Sequence, residues 1–417
     1  MEKFIIKGGA QLSGEVNISA AKNAVLPIIA ASILAGDKCS ILSTPMLEDV
    51  VVICDVLRDL NASIEVSEDR IDIDTSNVII KEPSSDLVRK MRASFFIMGP
   101  MLARFGRFKT ALPGGCNIGT RPIDLHLKGL SALGVNFDLG HGYVEATCNK
   151  LVGNKIYLDF PSVGATENIM MAACIAEGET TIENAAAEPE IEDLALFLNK
   201  MGANIMGAGQ GTIKITGVKA LKGTIHTPIY DRIESGTFMI AAAITKSKIK
   251  INGIHEEHMK PIIAKLTESG AIMEIEDNSI IVDGRNAMKP IDIKTMPYPG
   301  FPTDMQAQMM SLLCTVRGTS IITETIFENR YMHAPELKRM GANIKIDGRS
   351  AVIEGVDRLT GADIKATDLR AGAALILAGL AAEGNTTISD IYHIDRGYVQ
   401  IENKLKALGA NIERIKQ

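Results

Sequence analysis

The sequence predicts an α/β fold in which apolar helices lie inside and sheets lie outside, the inverse of a doubly wound fold. Two recurring elements carry this prediction. A helix that ends in Leu-x-x-x-Gly-Ala, or in a close variant, occurs six times along the 417 residues. A second helix, small and hydrophobic nearly all round, precedes each copy, and a helix of that kind is buried within a domain.

The first recurring element defines repeats of about 70 residues each. Its pivot residue is asparagine at position 61 and glycine at positions 134, 202, 270, 341 and 409. Helices often end at a left-handed residue, usually glycine and sometimes asparagine, so we expect all six pivots to be left-handed. Alternating strands follow the pivots, and in one pair Asp347-Gly348 is expected to form the turn of a hairpin.

The second recurring element is a set of apolar helices that each lead through a turn into a strand rich in threonine and isoleucine. These helices are expected at residues 24–35, 95–103, 166–176, 236–244, 305–314 and 371–382. Each repeat therefore reads strand–helix–strand–helix–strand–strand. A purely structural repeat protein would share this pattern, but six copies are few for a solenoid, and the charged residues lie in insertions outside the repeats.

Six repeats are most economically divided into two lobes of three, with a boundary near residues 227–230. The first repeat does not account for the strand at residues 4–6. If that strand joins the last repeats, residues 1–20 plus 230–417 form lobe I and residues 21–229 form lobe II, connected by two crossings. Two crossings form a hinge, and a cleft between two lobes is the default place for a substrate.

The composition is compatible with an intracellular enzyme and excludes several other classes of protein. The net charge of −6 leaves no basic surface for nucleic acid, and the chain has no tryptophan to stack on sugars or bases. The six cysteines form no CxxC pair, which predicts reduced thiols in the cytoplasm rather than disulfides or zinc. There is no signal-peptide core, and the longest apolar runs, of twelve residues, are too short to span a bilayer.

Two further motifs fail as cofactor sites. The run His255-Glu-Glu-His258 is not HExxH and has no third ligand nearby. The glycine-rich run at residues 207–211 lies between a helix and a strand, which is the wrong order for a dinucleotide fingerprint. We therefore expect neither a metal nor another cofactor.

Residues 112–122, Leu-Pro-Gly-Gly-Cys-Asn-Ile-Gly-Thr-Arg-Pro, are the most informative segment of the chain. Three glycines and two prolines exclude a helix or a central strand and predict an exposed loop. Arg121 follows Cys116 by five residues, and a nearby cation favours the reactive thiolate. A surface loop with an incidental cysteine fits this segment alone equally well.

The wording PGGC-x-IG-x-RP resembles the catalytic loop of the UDP-N-acetylglucosamine 1-carboxyvinyltransferases, an enolpyruvyl transferase family. The resemblance covers the whole chain and implies an inside-out α/β barrel of two lobes that close over their ligands. It implies transfer of the enolpyruvyl group of phosphoenolpyruvate to the 3-hydroxyl of UDP-N-acetylglucosamine, the first committed step of peptidoglycan synthesis. It also implies that Cys116 is the general acid, that it can carry a covalent phospholactoyl adduct, and that fosfomycin alkylates it.

The motif FPTDMQAQ, at residues 301–308, resembles a second stretch specific to the family. On its own, Thr303-Asp304 before an apolar helix predicts an N-cap. The resemblance implies that Asp304 is also the general base that deprotonates the sugar 3-hydroxyl. The two roles are compatible.

A trianionic substrate needs convergent cations, and with a net charge of −6 they must be few. Lys22-Asn23 before a helix resembles an ordinary cap, and Arg370 and Arg396 each have an aspartate nearby that could form a surface ion pair. The resemblance implies that phosphoenolpyruvate is bound by Lys22, Asn23, Arg121, Arg370 and Arg396. It implies that UDP-N-acetylglucosamine is bound by Asn23, Arg92, Arg121, Pro122, Ile123, Asp124, Leu125, His126, Ser162, Val163, Gly164, Asp304 and Ile326.

Residues 162–166 are expected to open a helix, whose N-terminus suits a diphosphate. Some family members carry a lysine two residues before this serine. Here that position is Phe160, so one cation for the diphosphate is missing.

Two other functions stay open at this point. The 5-enolpyruvylshikimate-3-phosphate synthases share the implied fold but act on a different acceptor and lack the cysteine in this loop. A nucleotide-sugar sensor that has lost turnover would keep the fold without the chemistry. The presence of Cys116 and of the run from Arg121 to His126 favours the nucleotide-sugar transferase over the shikimate enzyme, and the pair Cys116 and Asp304 argues against a sensor.

Overall fold

The structure is a computed structural model that describes residues 2–90, 92–112, 118–119, 123–140 and 142–416, and of residues 89, 90 and 92–94 only the backbone. The helices within these ranges are α1 Lys22–Ala31, α2 Glu48–Asp59, α3 Ser85–Lys90, α4 Met98–Phe105, α5 Asp124–Ala132, α6 Val163–Ala173, α7 Pro189–Lys200, α8 Arg232–Ile244, α9 Glu256–Ser269, α10 Gln306–Leu313, α11 Ala334–Arg339, α12 Leu369–Ala381, α13 Tyr392–Asp395 and α14 Ile401–Ala407. The strands are β1 Glu2–Lys7, β2 Glu15–Asn17, β3 Lys38–Leu42, β4 Ser63–Val66, β5 Arg70–Asp74, β6 Arg107–Ala111, β7 Asn136–Leu139, β8 Tyr143–Thr147, β9 Lys155–Tyr157, β10 Glu179–Glu183, β11 Asn204–Met206, β12 Thr212–Thr216, β13 Ile225–His226, β14 Lys248–Asn252, β15 Ile272–Glu276, β16 Ser279–Asp283, β17 Ile293–Lys294, β18 Thr319–Thr323, β19 Asn343–Asp347, β20 Ser350–Glu354, β21 Asp363–Lys365, β22 Asn385–Ser389 and β23 Asn411–Lys416.

The described strands form six sheets, one for each predicted repeat. Five have four strands, in the orders β21-β22-β1-β23, β11-β12-β10-β9, β13-β3-β5-β4, β15-β16-β14-β2 and β17-β18-β20-β19. In each of these, one edge strand pairs in parallel with its neighbour and the other pairings are antiparallel. The sixth sheet, β6-β8-β7, has three strands, because helix α3 stands where the other repeats have their parallel strand.

The described residues divide into two compact units, and three sheets belong to each. The C-terminal unit comprises residues 2–19, 118–119 and 230–416, with helices α8–α14. Strand β1 lies between β22 and β23 in this unit, so the N-terminal strand joins the last repeat. The N-terminal unit comprises the described residues from 20 to 112 and from 123 to 229, with helices α1–α7.

The apolar helices are buried, as the sequence predicts. Every residue of α10 is buried, and so is every residue of α8 after Arg232. The strands alternate between the two faces of their sheets: in β12, Ile213 and Ile215 are buried while the threonines beside them are exposed. Each repeat thus places its apolar helix in the core and one face of its sheet in solvent.

All six pivots are left-handed, which confirms the prediction from the helix ends. Their φ angles are 72° at Asn61, 99° at residue 134, 105° at residue 202, 116° at residue 270, 92° at residue 341 and 101° at residue 409. The predicted hairpin is also present, because β19 and β20 pair in antiparallel fashion across Gly348. Other helix boundaries are less regular: residues 92–97 form a 3-10 turn before α4, and residues 32–35 form one after α1.

Candidate active site

The carboxylate of Asp304 is the centre of a charged site in the C-terminal unit. Arg330 donates from Nη2 to Oδ1 of Asp304 at 2.8 Å. Arg370 approaches Oδ2 with Nε at 3.1 Å and with Nη2 at 3.0 Å. The two arginines are buried, with 4% and 3% of their surface exposed, whereas Asp304 is half-buried. One aspartate thus faces two guanidinium groups that water hardly reaches.

The prediction that Thr303-Asp304 caps a helix is wrong. Residues 303–305 form a 3-10 turn whose N-cap is Pro302, and the N-cap of α10 is Met305, neither with a side-chain cap bond. Asp304 bonds to the arginines instead, and the hydroxyl of Thr303 donates to Glu324 at 2.9 Å. An ionised acceptor between two buried cations is held more strongly by them than by backbone amides.

Each of the two arginines has one buried donor nitrogen without a hydrogen-bond partner among the described residues. This nitrogen is Nη1 in both Arg330 and Arg370. A buried donor left unsatisfied costs about 1–3 kcal/mol, so a native protein retains such groups for a reason. A pair of planar guanidinium groups with free donors suits the oxygens of a carboxylate or a phosphate.

A buried polar network supports Arg370 from below. Asp368 caps α12 by accepting from the backbone N–H of Arg370 at 2.9 Å, so it does not form the surface ion pair that the sequence allows. The guanidinium of Arg370 lies over the ring of Tyr398, 5.5 Å from its centroid. The hydroxyl of Tyr398 is 2.9 Å from that of Thr237, and Gln308 donates to it at 3.3 Å.

Glu324 ties the loop of Ile326 to the turn of Asp304. Its buried carboxylate accepts from Thr303 at 2.9 Å and from the backbone N–H of Ile326 at 2.9 Å.

Nearby, His333 is fully buried, and burial lowers the pKa of its imidazole to about 4, with Asp368 opposing the shift and Arg330 adding to it. The imidazole is therefore neutral at physiological pH and brings no further charge to the site.

Arg396 stands at the end of the one-turn helix α13 and is half-buried. Its neighbour Asp395 pairs with Arg414. Two residues beyond Arg396 the chain reaches Tyr398, the ring beneath Arg370. The segment that carries Arg396 is thus connected to the Asp304 site through that ring.

In the N-terminal unit, Lys22 forms a buried ion pair that the sequence did not predict. Its ammonium is 2.5 Å from Oδ2 of Asp49, and both side chains are almost wholly buried. Lys22 begins α1, and Asp49 lies in the first turn of α2. Asn23 follows on α1 and is half-buried. Lys22 is therefore part of an ion pair in addition to beginning a helix.

The predicted nucleotide-sugar residues Ser162, Gly164 and His126 come together in the same unit. Ser162 caps α6 by accepting from the N–H of Ala165 at 3.4 Å, which confirms the predicted helix start. A Cβ atom added at Gly164 would lie 3.2 Å from Cε1 of His126, so glycine permits this close approach. Nδ1 of His126 is 3.1 Å from Nδ2 of Asn168, which also donates to the carbonyl of Phe95.

Three further members of the predicted nucleotide-sugar set lie at the start of α5. Ile123 is the N-cap of α5, and Asp124 and Leu125 are its first two residues. Phe160 is partly exposed, and its carbonyl accepts the N–H of Ser162 at 2.8 Å. The preceding residue, Asp159, pairs with Lys128 at 2.6 Å.

Several predicted site residues lie outside the described residues. They are Cys116, Arg121 and Pro122, and of Arg92 only the backbone, in the 3-10 turn before α4, is described.

The five other cysteines are free thiols, and burial raises the pKa of Cys39 and Cys54 to about 11 and that of Cys174 and Cys314 to about 12. Burial also raises the pKa of Cys148. Burial thus disfavours the reactive thiolate at these five positions.

Sequence reasoning missed Arg330 and Asp49. Arg330 lies between Asn329 and Tyr331 in a segment with no glycine or proline to mark a functional loop. Asp49 lies in an acidic first helical turn, where a carboxylate is ordinarily explained by the helix dipole. Neither position carries a local signal that distinguishes a site residue from a structural one.

Comparisons with known proteins agree with this fold. Residues 6–405 match the family model of EPSP synthase (3-phosphoshikimate 1-carboxyvinyltransferase). The chain is 69% identical to UDP-N-acetylglucosamine 1-carboxyvinyltransferase 2 of Clostridium tetani over 417 residues, with 100% of both chains covered. It is 70% identical to UDP-N-acetylglucosamine 1-carboxyvinyltransferase 1 of Clostridium acetobutylicum, again with 100% of both chains covered.

Solved structures show the same architecture. The enolpyruvyl transferase NikO from Streptomyces tendae has a TM-score of 0.90 and 25% identity, covering 100% of this chain and 99% of its own. EPSP synthase from Acinetobacter baumannii shares the fold, with a TM-score of 0.78, 20% identity and 100% of both chains covered.

The fold is therefore that of the enolpyruvyl transferases, as the resemblance implied, and the chain is an enzyme of the transferase class. Within that class the chain belongs to the UDP-N-acetylglucosamine 1-carboxyvinyltransferase family. Across the described ranges, no helix combines the length and the apolar character needed to cross a membrane.

Proposed function

We propose that this enzyme transfers the enolpyruvyl group of phosphoenolpyruvate to the 3-hydroxyl of UDP-N-acetylglucosamine and releases inorganic phosphate. The observation that carries the proposal is the Asp304 carboxylate held by Arg330 and Arg370, each with one unpartnered buried donor. A transfer of this kind needs a base for the hydroxyl next to cations for a substrate carboxylate, and this site supplies both.

The arginines link substrate binding to the strength of the base. While Arg330 and Arg370 hold Asp304 and no substrate anion, they stabilise its negative charge and weaken it as a base. The carboxylate of phosphoenolpyruvate would share the same guanidinium groups through their free Nη1 donors. Their hold on Asp304 then weakens, and Asp304 becomes a better proton acceptor once the substrate is bound.

The reaction balances as an addition followed by an elimination. Asp304 takes the proton of the sugar 3-hydroxyl as that oxygen bonds to C2 of phosphoenolpyruvate, and Cys116 gives its thiol proton to C3. The resulting tetrahedral ketal still carries the phosphate. The Cys116 thiolate then takes a proton back from C3, and the bond between C2 and the phosphate oxygen breaks. The phosphate leaves with the proton that Asp304 held.

The remaining cations are assigned to the anionic groups of the two substrates. Lys22, Arg121 and Arg396 hold the phosphate of phosphoenolpyruvate, with Asn23 beside Lys22. The pairing of Lys22 with Asp49 orients its buried ammonium before the substrate arrives. The diphosphate binds at the N-terminus of α6, which is formed by Ser162, Val163 and Gly164. A helix N-terminus favours negative charge.

The other predicted contacts belong to the nucleotide sugar. They are Asn23, Arg92, Arg121, Pro122, Ile123, Asp124, Leu125, His126, Asp304 and Ile326. The product would enter peptidoglycan synthesis, and hence cell wall growth and division, and we place the reaction in the cytoplasm.

The proposal is tested by inorganic phosphate release from phosphoenolpyruvate with UDP-N-acetylglucosamine as acceptor. Asp304→Asn should lower kcat about 10²- to 10⁴-fold, because the general base is lost. Cys116→Ala should abolish turnover and fosfomycin labelling while calorimetry still detects UDP-N-acetylglucosamine binding. Asp357→Asn is the matched control, since Asp357 is an exposed partner of Arg317 in the same unit.

Two outcomes would overturn these assignments. A normal rate in Cys116→Ala would exclude this thiol as the acid. Equal rates in Asp304→Asn and Asp357→Asn would exclude Asp304 as the base. In either event, mass spectrometry of the product would still report whether the acceptor had gained an enolpyruvyl group.

A further inference from the structure

Arg414 on the last strand, β23, ties together three carboxylates of the C-terminal unit. Its Nη2 and Nη1 donate to the two carboxylate oxygens of Asp395, at 2.6 and 3.1 Å. Its Nε donates to Glu402 at 2.7 Å, and Nη1 also donates to Glu2 at 2.8 Å. Only 24% of the Arg414 side chain is exposed. The Asp395 side chain is 36% exposed, so the bidentate geometry of the pair, rather than its burial, fixes the orientation of Asp395.

The Asp395 arm of this cluster ends next to Arg396. Asp395 is the last residue of α13, a helix of four residues, and Arg396 follows it directly. A single helical turn is unstable in isolation, because the free-energy cost of nucleating a helix exceeds the stabilisation from the hydrogen bonds of one turn. The position of Arg396 therefore depends on what anchors α13.

Three anchors hold this segment. Ile394 is fully buried, and a Cβ added at Gly372 of α12 would meet it at 2.4 Å. A Cβ added at Gly397 would lie 2.7 Å from Leu369, so the chain after Arg396 also packs tightly on α12. Asp395 supplies the one polar anchor that the described residues provide on α13, through Arg414.

We propose that Arg414 is a positioning residue for the transfer reaction, holding α13 through Asp395 so that Arg396 stays at the phosphate of phosphoenolpyruvate. This inference rests on the proposed function. Arg414 itself does not contact the substrate, because its donors are engaged by Asp395, Glu402 and Glu2. Loosening α13 changes where the Arg396 guanidinium lies, and small displacements of a binding group reduce its contribution strongly.

The test compares two arms of the same cluster. Asp395→Asn removes the charge and the bidentate geometry on the arm that holds α13. Glu2→Gln removes the charge on another arm, which leads from Arg414 to β1 rather than to α13. We expect Asp395→Asn to raise KM for phosphoenolpyruvate about tenfold. We expect Glu2→Gln to change it less than about twofold, and KM for UDP-N-acetylglucosamine to stay at the wild-type value in both variants.

Further variants keep the test decisive. Arg414→Lys retains the positive charge but loses the bidentate guanidinium geometry. It should therefore raise KM for phosphoenolpyruvate less than Asp395→Asn does. If Asp395→Asn does not fold, Arg414→Lys is measured in its place. An equal rise of KM in Asp395→Asn and Glu2→Gln, or a lower melting temperature with unchanged KM, would overturn the inference in favour of a structural role.

Arg396→Ala separates this inference from the proposed function. If Arg396→Ala leaves KM for phosphoenolpyruvate unchanged, the assignment of Arg396 fails. If Arg396→Ala raises that KM and Asp395→Asn does not, only the positioning role of Arg414 fails.

Discussion

As the proposed general base, Asp304 would combine two requirements that usually conflict at one carboxylate. A base must be ionised before the reaction, yet a carboxylate paired with two buried arginines is reluctant to accept a proton. In the proposed mechanism the unpartnered Nη1 donors of Arg330 and Arg370 bind the substrate carboxylate as a second anion, which weakens their hold on Asp304.

Removal of Arg330 should expose this coupling. Arg330→Gln should lower kcat/KM for phosphoenolpyruvate about a hundredfold, because one of the two guanidinium groups that orient Asp304 and receive the substrate is lost. Steady-state phosphate release measures the effect. Arg358→Gln is the control, since Arg358 forms an exposed ion pair with Glu383 in the same unit. Comparable losses in both variants would contradict the role of Arg330.

Glu167 on α6 should make stability depend on pH. Both carboxylate oxygens are buried without a hydrogen-bond partner among the described residues. Burial raises the pKa of Glu167 well above its usual 4.5, and Glu190 and Glu188 add to the shift. Above pH 4.5 the folded state thus keeps a proton on Glu167 that the unfolded state releases. The stability contributed by the proton is complete below pH 4.5 and is lost as pH rises toward the folded pKa.

Glu167→Gln removes this dependence, because glutamine does not ionise. Relative to the wild type, the free energy of unfolding of the variant should rise by up to about 1.4 kcal/mol per pH unit as pH increases from 5 toward 8. Urea denaturation at pH 5, 6.5 and 8 measures it. Glu177→Gln, at an exposed partner of Lys150, should differ from the wild type by a constant amount. A constant difference for Glu167→Gln as well would contradict the prediction.

Among single residues, those with a local signal could be predicted and those defined by long-range contact could not. Asp304 and Arg370 lie in turn-flanked, motif-bearing stretches, and the structure brings them into contact. Arg330 completes the same site from a segment without such a signal. The N-cap prediction for Asp304 fails for the same reason, because no local rule reveals that two arginines from distant segments compete for that carboxylate.

Among the elements, the helix ends are the best predicted, since a left-handed residue depends on local chemistry alone. At Gly202 the φ angle is 105° and an added Cβ would meet no atom within 4 Å, so substitution tests backbone strain without a steric clash. Gly202→Ala should reduce the free energy of unfolding by about 1–2 kcal/mol. Gly202→Asn should cost less, because asparagine tolerates this conformation and the chain already uses it at residue 61.

Thermal or urea denaturation of the two variants distinguishes these effects. Equal losses in Gly202→Ala and Gly202→Asn, or no loss in either, would show that the left-handed pivot contributes nothing to the stability of the α7 end.

Element starts are predicted less well than element ends. Helix α4 is preceded by a 3-10 turn, and its repeat has helix α3 where the repeat pattern predicts a strand. An apolar run indicates that a segment is buried but not whether its first turn is α or 3-10, since neighbouring elements decide that geometry.

At the scale of the molecule, the repeat explains most of the architecture. Six pivots predict six units of structure, and the described strands form six sheets, five of them with the same order of parallel and antiparallel pairing. The place of β1 follows from an omission, because the first repeat does not use it, and the last sheet receives it between β22 and β23. Pairing between the two chain ends has no local signature and requires the repeat to be recognised first.

The proposed reaction requires a nucleotide sugar as acceptor and phosphoenolpyruvate as donor. The most direct test is inorganic phosphate release from phosphoenolpyruvate by the wild-type enzyme, with UDP-N-acetylglucosamine or shikimate 3-phosphate as acceptor, each with and without fosfomycin. We expect release with UDP-N-acetylglucosamine alone, and its loss after fosfomycin treatment. Release with shikimate 3-phosphate alone, or with neither acceptor despite nucleotide-sugar binding, would contradict the account.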